Sequence, residues 1–181
     1  MSTTLIPPCE FNSAVQKMRE YFLSKGFIEV HTQSALSILA ACEDPGTIST
    51  YNYAGKIWPL PQTGQMWLEH VLLDHPEIKG CFCVSTSFRD EPNPVAGRHD
   101  KIFPMFEFEM PGNMDDLVEL EKGLLEHLGF PKRGENNTYP EGDYLDVAKE
   151  YGVKELEHEH EEEHRHTRHI RLQVYSACGE G

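Results

Sequence analysis

Residues 88–110 read FRDEPNPVAGRHDKIFPMFEFEM. With the residues just before it, this stretch predicts two strands: Gly80 to Glu91 and Ile102 to Met110, joined by Pro92 to Lys101. Side chains alternate across a strand. On the first strand Phe82, Val84 and Phe88 therefore share one side, and Cys83, Ser85, Ser87, Arg89 and Glu91 share the other. On the second, Ile102, Phe106 and Phe108 oppose Phe103, Met105, Glu107 and Glu109. The pair is antiparallel, apolar on one face and loaded with Arg, Glu and Phe on the other. A face of that kind has work to do. Arginine's planar, permanently charged fork holds two phosphate oxygens at once. An aromatic ring gives a planar base a surface to stack on. Carboxylates accept from amino groups or hold magnesium. Arg89, Arg98, Phe103 and Glu107 bring this set to one hairpin.

The flanking residues extend the pattern. Phe11 to Lys25 reads as an amphipathic helix, with Phe11, Val15, Met18 and Phe22 on one face, Asn12 or Ser13 as its cap and Gly26 at its end. Phe27 to His31 reads as a short strand. Ile48 to Tyr53 and Lys56 to Trp58 read as a hairpin turning at Ala54-Gly55. Thr63 caps a helix from about Gln65 to His75. Asn113 caps another, Met114 to Leu128, with Asp115 and Asp116 in the first turn, where the helix dipole favours them. Asp143 to Gly152 is helical again. Helix, strands, helix, long hairpin, helix is the order of an α+β fold built on an antiparallel sheet.

Composition narrows the ligand. The 181 residues suit one domain with a core of its own. Sixteen Lys plus Arg against 30 Asp plus Glu leave a net charge of −14, which opposes a long nucleic-acid surface and favours a small phosphate-bearing ligand in a cleft. Five cysteines at irregular spacing (Cys9, Cys42, Cys81, Cys83 and Cys178) do not make a disulfide framework. No apolar run has the length of a membrane span, and Met1 to Pro8 lacks the pattern of a secretory signal. A reduced, cytoplasmic protein is expected, with no membrane partner.

Residues 88–110 resemble motif 2 of the class II aminoacyl-tRNA synthetases, and most of all the aspartyl, asparaginyl and lysyl subclass. That motif runs Phe-Arg-x-Glu, a variable loop, Arg-His-x-x-Glu-Phe, then Glu-x-Glu. The resemblance implies the class II fold, an antiparallel sheet flanked by helices, and an ATP-binding ligase. It implies that Arg89 contacts the α-phosphate and the amino-acid carboxylate, that Glu91 meets the adenine amino group and that Phe103 stacks on adenine. Arg98 and His99 would lie near the outer phosphates, and Glu107 or Glu109 would face the amino-acid pocket. ATP and magnesium (Mg2+) are the implied cofactors.

Residues 20–36 resemble motif 1, which in the family builds a homodimer interface; Gln33 stands where the family has proline. Thr63-Gly64-Gln65-Met66-Trp67-Leu68-Glu69 resembles the family's amino-acid-binding segment, so that Gln65 and Glu69 join the expected pocket. Aspartyl enzymes carry lysine three residues after the glutamine, where Leu68 stands here; asparaginyl enzymes carry glutamate one place later, as Glu69 does. A carboxylate accepts from a side-chain amide and repels a side-chain carboxylate, so asparagine is favoured over aspartate. Ile102 replaces the glutamate that normally precedes Phe103.

The resemblance as read covers roughly residues 10–160, within a division into a catalytic core at 1–160 and a Glu/His-rich tail at 161–181. Motif 3, the acidic magnesium-binding pair before it and the N-terminal anticodon-binding barrel have no visible counterpart. The loss of pattern near Glu162 suggests a truncation or a change of reading frame, which out-of-frame translation of the DNA would decide. Three readings follow. The first is ATP-dependent amino-acid activation for tRNA aminoacylation. The second is a stand-alone paralogue of the asparagine synthetase kind. The third is an inactive or regulatory remnant that binds nucleotide or amino acid.

Four further features carry weaker readings. His160-Glu161-Glu162-Glu163-His164 matches a zinc pattern but sits in a run of charge, so it is read as solvated tail and no metal residue is assigned. Asn136-Asn137-Thr138 is read as a plain loop. Cys81 and Cys83 are expected to pack beneath the site, and Trp58 and Trp67 to be core or rim residues.

Overall fold

A computed structural model describes the elements of the chain over residues 6–34, 44–96, 99–139, 142–156 and 160. In chain order the first are α1 (Pro8–Ser24), β1 (Ile28–Glu29), a 3-10 turn (Pro45–Thr47), β2 (Thr50–Tyr53), β3 (Lys56–Pro59) and α2 (Gln65–Asp74). Then come β4 (Cys81–Phe88), β5 (Ile102–Glu109), α3 (Met114–Leu128) and α4 (Tyr144–Tyr151). The chain divides into two compact units, Met1–Leu117 and Val118–Gly181. The arrangement is α+β, as expected.

In the first unit the central sheet has the order β1-β4-β5. β4 and β5 pair antiparallel along their whole length, with Ser87 opposite Phe103, Cys83 opposite Glu107 and Cys81 opposite Glu109. Over these paired residues the two-sided face sorting read from the sequence is the observed one. β1 departs from the antiparallel expectation: it runs parallel to β4. The segment between them holds a hairpin and a helix, long enough for the crossover that a parallel pair requires. The expected strand from Phe27 to His31 is also shorter, although Val30 N still donates to Phe82 O at 2.8 Å.

The apolar face of the hairpin packs against α1. Phe22 is fully buried, its ring 4.7 Å from Phe108, 5.3 Å from Phe106 and Phe27, and 5.7 Å from Phe82 between centroids. Phe11 is exposed instead of sharing that face. The cap expected at Asn12 or Ser13 is replaced by Pro7, with Pro8 in the first turn, where a missing N–H breaks no helical bond. Gly80 permits the close approach of Phe27: a Cβ there would lie 2.5 Å from the ring.

On the opposite face, Leu68 of α2 is buried with Cys81 and Cys83, and Val30, Val71, Leu72 and Ile78 pack around them. The β2–β3 hairpin turns where expected, with φ of +53° at Ala54 and +75° at Gly55, the two positive values a tight hairpin turn needs.

Asn113 caps α3 as expected: its Oδ1 accepts from the N–H of Asp115 at 2.8 Å, and Asp116 reaches back to Asn113 N at 2.9 Å. In the second unit, Asp143 caps α4 and Gly152 closes it in the left-handed region, while Tyr139, Val147 and Ala148 are buried. No helix among the described residues is long and apolar enough to cross a membrane.

Candidate functional site

The polar face of the β4–β5 hairpin carries the site. β4 ends at Phe88, short of the expected Glu91, because the chain there takes three different partners in three residues. Phe88 N donates to Pro61 O at 3.0 Å, Arg89 N to Lys101 O at 2.8 Å and Asp90 N to Thr47 O at 2.8 Å. Arg89 is therefore held from both sides. Its guanidinium carbon lies 5.6 Å from the centre of the Phe103 ring, so the cation and the aromatic surface form one platform. Lys101 Nζ donates to Asp90 Oδ1 at 2.6 Å and holds that carboxyl below its usual range. Glu91 and His99 pair with each other across the loop, Oε2 to Nδ1 at 2.7 Å. Arg98 lies outside the described residues.

A second cluster lies where β5 meets the start of α2. Glu107 accepts from four donors: the hydroxyls of Thr63 and Ser85, the N–H of Gly64 at 2.8 Å and the Cys83 thiol at 3.9 Å. Gly64 is required there, since a Cβ would lie 2.9 Å from Cys83 Sγ and 3.1 Å from Glu107 Oε2. Gly64, and not Thr63, occupies the cap position of α2; the Thr63 hydroxyl accepts from Gln65 N at 3.0 Å. One turn along, Gln65 Nε2 donates to Glu69 Oε1 at 2.7 Å. The sequence pattern brings Glu107 to this face but does not reveal that its oxygens are already engaged. Of its partners, Cys83 and Ser85 are signalled by strand alternation. Thr63 and Gly64 come from a separate segment and carry no such signal.

Glu109 accepts no hydrogen bond from the described residues. Burial pushes its carboxyl up to about 7 from 4.5, and the negative charges of Glu69 and Glu107 push it the same way. Between those two values the native chain holds a proton that the unfolded chain releases, so stability falls as pH rises through that window. Glu109→Gln is accordingly expected to be more stable than the parent at pH 8 by roughly 2–3 kcal/mol and equal to it at pH 4. Urea midpoints at the two pH values check this, and an equal difference at both would refute it.

Cys81 and Cys83 do pack beneath the site. Burial pushes their thiols up to about 11 and about 12, which suppresses the reactive thiolate. Trp67 serves at the rim, its Nε1 donating to Gln33 O at 2.9 Å, and Trp58 is half-buried on β3. Of the His-Glu-Glu-Glu-His run only His160 lies within the described residues, its ring 4.8 Å from that of Tyr151. No group of three or more His, Cys, Asp or Glu among the described residues is placed to hold a metal ion.

Comparison with known proteins gives a consistent family. The family described as tRNA synthetases class II (D, K and N) matches residues 10–174, which run past residue 160 into the segment read as a tail. The fold is similar to that of asparaginyl-tRNA synthetase from Pyrococcus horikoshii complexed with asparaginyl-adenylate, with a TM-score of 0.68 and 19% identity over 88% of this chain and 42% of that one. It is also similar to Entamoeba histolytica asparaginyl-tRNA synthetase in complex with asparaginyl-adenylate, with a TM-score of 0.58 and 20% identity over 78% of this chain and 34% of that one. The chain thus spans less than half the length of either solved structure. No curated protein sequence matches it.

Proposed function

Because this chain belongs to the class II tRNA synthetases of the D, K and N group, we propose that it uses ATP to activate an amino acid, asparagine ahead of aspartate, for transfer to tRNA. The observation that carries this reading is the stack of Arg89 on Phe103, with its guanidinium carbon 5.6 Å from the ring centre. It supports the reading because a guanidinium suited to phosphate and a ring suited to stacking lie together, Arg89 just past the end of β4 and Phe103 on β5.

In this reading Arg89 grips the α-phosphate together with the amino-acid carboxylate, and Phe103 stacks on adenine. Glu91 accepts from the adenine amino group, and His99 and Arg98 meet the outer phosphates. Since Glu91 and His99 hold each other at 2.7 Å in the free chain, nucleotide binding exchanges that contact for two new ones. A carboxylate oxygen of the amino acid attacks the α-phosphorus. The bond to the bridging oxygen breaks, and pyrophosphate leaves with its electron pair. Catalysis is positioning plus a fixed positive charge at the pentavalent centre. The family's magnesium would offset phosphate charge when bound; the described residues offer no ligand cluster for it, and no residue is assigned to it.

The preference for asparagine rests on three observations. Glu69 already accepts from a carboxamide, that of Gln65, at 2.7 Å, and asparagine presents the same donor. Aspartate would instead bring a further negative charge toward Glu69, Glu107 and Glu109, the last already raised by burial and then by the charges of the other two. Leu68 stands where aspartyl enzymes carry lysine, and it is fully buried in the core.

ATP–pyrophosphate exchange with each amino acid, with and without tRNA, tests the proposal. Exchange with asparagine and charging of tRNA is the expected outcome. AMP formation from aspartate and ammonia would point to the asparagine synthetase kind of paralogue. ATP binding without exchange would overturn the enzymatic reading.

A further inference from the structure

We propose that Gln62 is a positioning residue for Arg89, acting through the turn at Pro45–Thr47; the proposal rests on the reading that Arg89 holds the α-phosphate. Gln62 is 2% exposed, a rare state for a side chain with two polar ends. Both ends engage the turn at Pro45–Thr47 and the Asp44 that precedes it. Its Nε2 donates to Asp44 O at 3.0 Å and to Thr47 Oγ1 at 2.9 Å, and its Oε1 accepts from Asp44 N at 3.1 Å. The turn closes further on itself: Asp44 Oδ1 accepts from Gly46 N at 2.8 Å, and Thr47 N donates to Asp44 O at 3.1 Å.

This braced turn does one thing for the site. Thr47 O accepts from Asp90 N at 2.8 Å, the residue directly after Arg89. On the other side, Pro61, the residue before Gln62, accepts from Phe88 N at 3.0 Å. The Gln62 segment therefore holds the residue before Arg89 through the Pro61 carbonyl, and the Gln62 side chain braces Thr47, whose carbonyl holds the residue after Arg89. Arg89's own N–H goes to Lys101, so the backbone that aims the guanidinium is fixed at three successive amides. A buried, fully used carboxamide is stiff, because losing either end strands polar groups away from water. Neither an aliphatic residue nor glutamate can replace it, since only the amide both donates to the two oxygens and accepts from the Asp44 N–H.

Gln62→Met keeps the bulk of the side chain and removes its three hydrogen bonds to Asp44 and Thr47. In the full chain, amide hydrogen exchange at Asp90 is expected to quicken at least tenfold, with Phe82 and Val84 amides unchanged. ATP affinity, by titration with ATP alone, is expected to fall about tenfold in the parent background. It should fall less than twofold when added to Arg89→Ala, as befits a residue acting through Arg89. A purely structural role would instead speed exchange throughout β4 and weaken ATP equally in both backgrounds, and either result overturns the proposal. Unchanged exchange at Asp90 overturns it whatever ATP does. If the parent chain does not bind ATP, the functional reading fails on that result alone, and the Asp90 amide still judges the brace. Should Gln62→Met not fold, Thr47→Val removes one of the three bonds and is held to the same readouts.

Discussion

Arg89→Ala lowers asparagine-dependent ATP–pyrophosphate exchange by about a hundredfold to a thousandfold, the size of effect seen when a preorganised electrostatic group is removed from a developing transition state. The expectation follows from where the residue sits. Its backbone is fixed by neighbours on three segments, and its guanidinium lies over Phe103. The contact to the ring contributes only about 0.5–1 kcal/mol to folding. Loss of activity should therefore come with little loss of stability. Urea midpoints of parent and variant should agree within about 1 kcal/mol while the exchange rates diverge. Arg89→Lys keeps the charge but loses the fork, and should fall between the two. An Arg89→Ala chain whose exchange stays within tenfold of the parent would sink the mechanism.

Glu107→Ala has the largest expected effect on stability, about 3–5 kcal/mol. The carboxylate joins β5 to β4 through Ser85 and Cys83, and β5 to the start of α2 through Thr63 and Gly64. Truncation leaves two hydroxyls and a backbone N–H facing each other without an acceptor. It also removes the negative charge from the N-terminal end of α2, where the helix dipole favours it. Glu107→Gln keeps one acceptor oxygen and should cost roughly half as much. Denaturant unfolding of the three chains at pH 7.5 measures this; a cost below about 1 kcal/mol for the alanine variant would show that the carboxylate is not a joint.

These two residues differ in how far the sequence foretells them. Phe103 is placed by alternation, and the observed pairing of Ser87 with Phe103 and Cys83 with Glu107 agrees with the faces read from the pattern, whereas Arg89 lies one residue beyond β4 and is held by the backbone bonds around it. Glu107 is legible as a member of that face. That four donors already hold it, leaving Glu109 as the perturbed carboxyl of the pair, is not. Two of those donors come from a loop more than forty residues away, the separation being 44 for Thr63 and 43 for Gly64. Gln62 is invisible in the same way, for its partners lie 18 and 15 residues back.

Local physics is sufficient for whatever repeats within a few residues. The period of two in the paired strands, the Asn113 cap and the Ala54-Gly55 turn all follow from backbone geometry and short-range hydrogen bonding. The parallel placing of β1, the exposure of Phe11 and the locked states of Glu107 and Gln62 came only with the folded chain. Each of these depends on which distant segments meet, and a buried polar group takes whichever partner the packing brings, because leaving it without one costs more than the bond itself contributes.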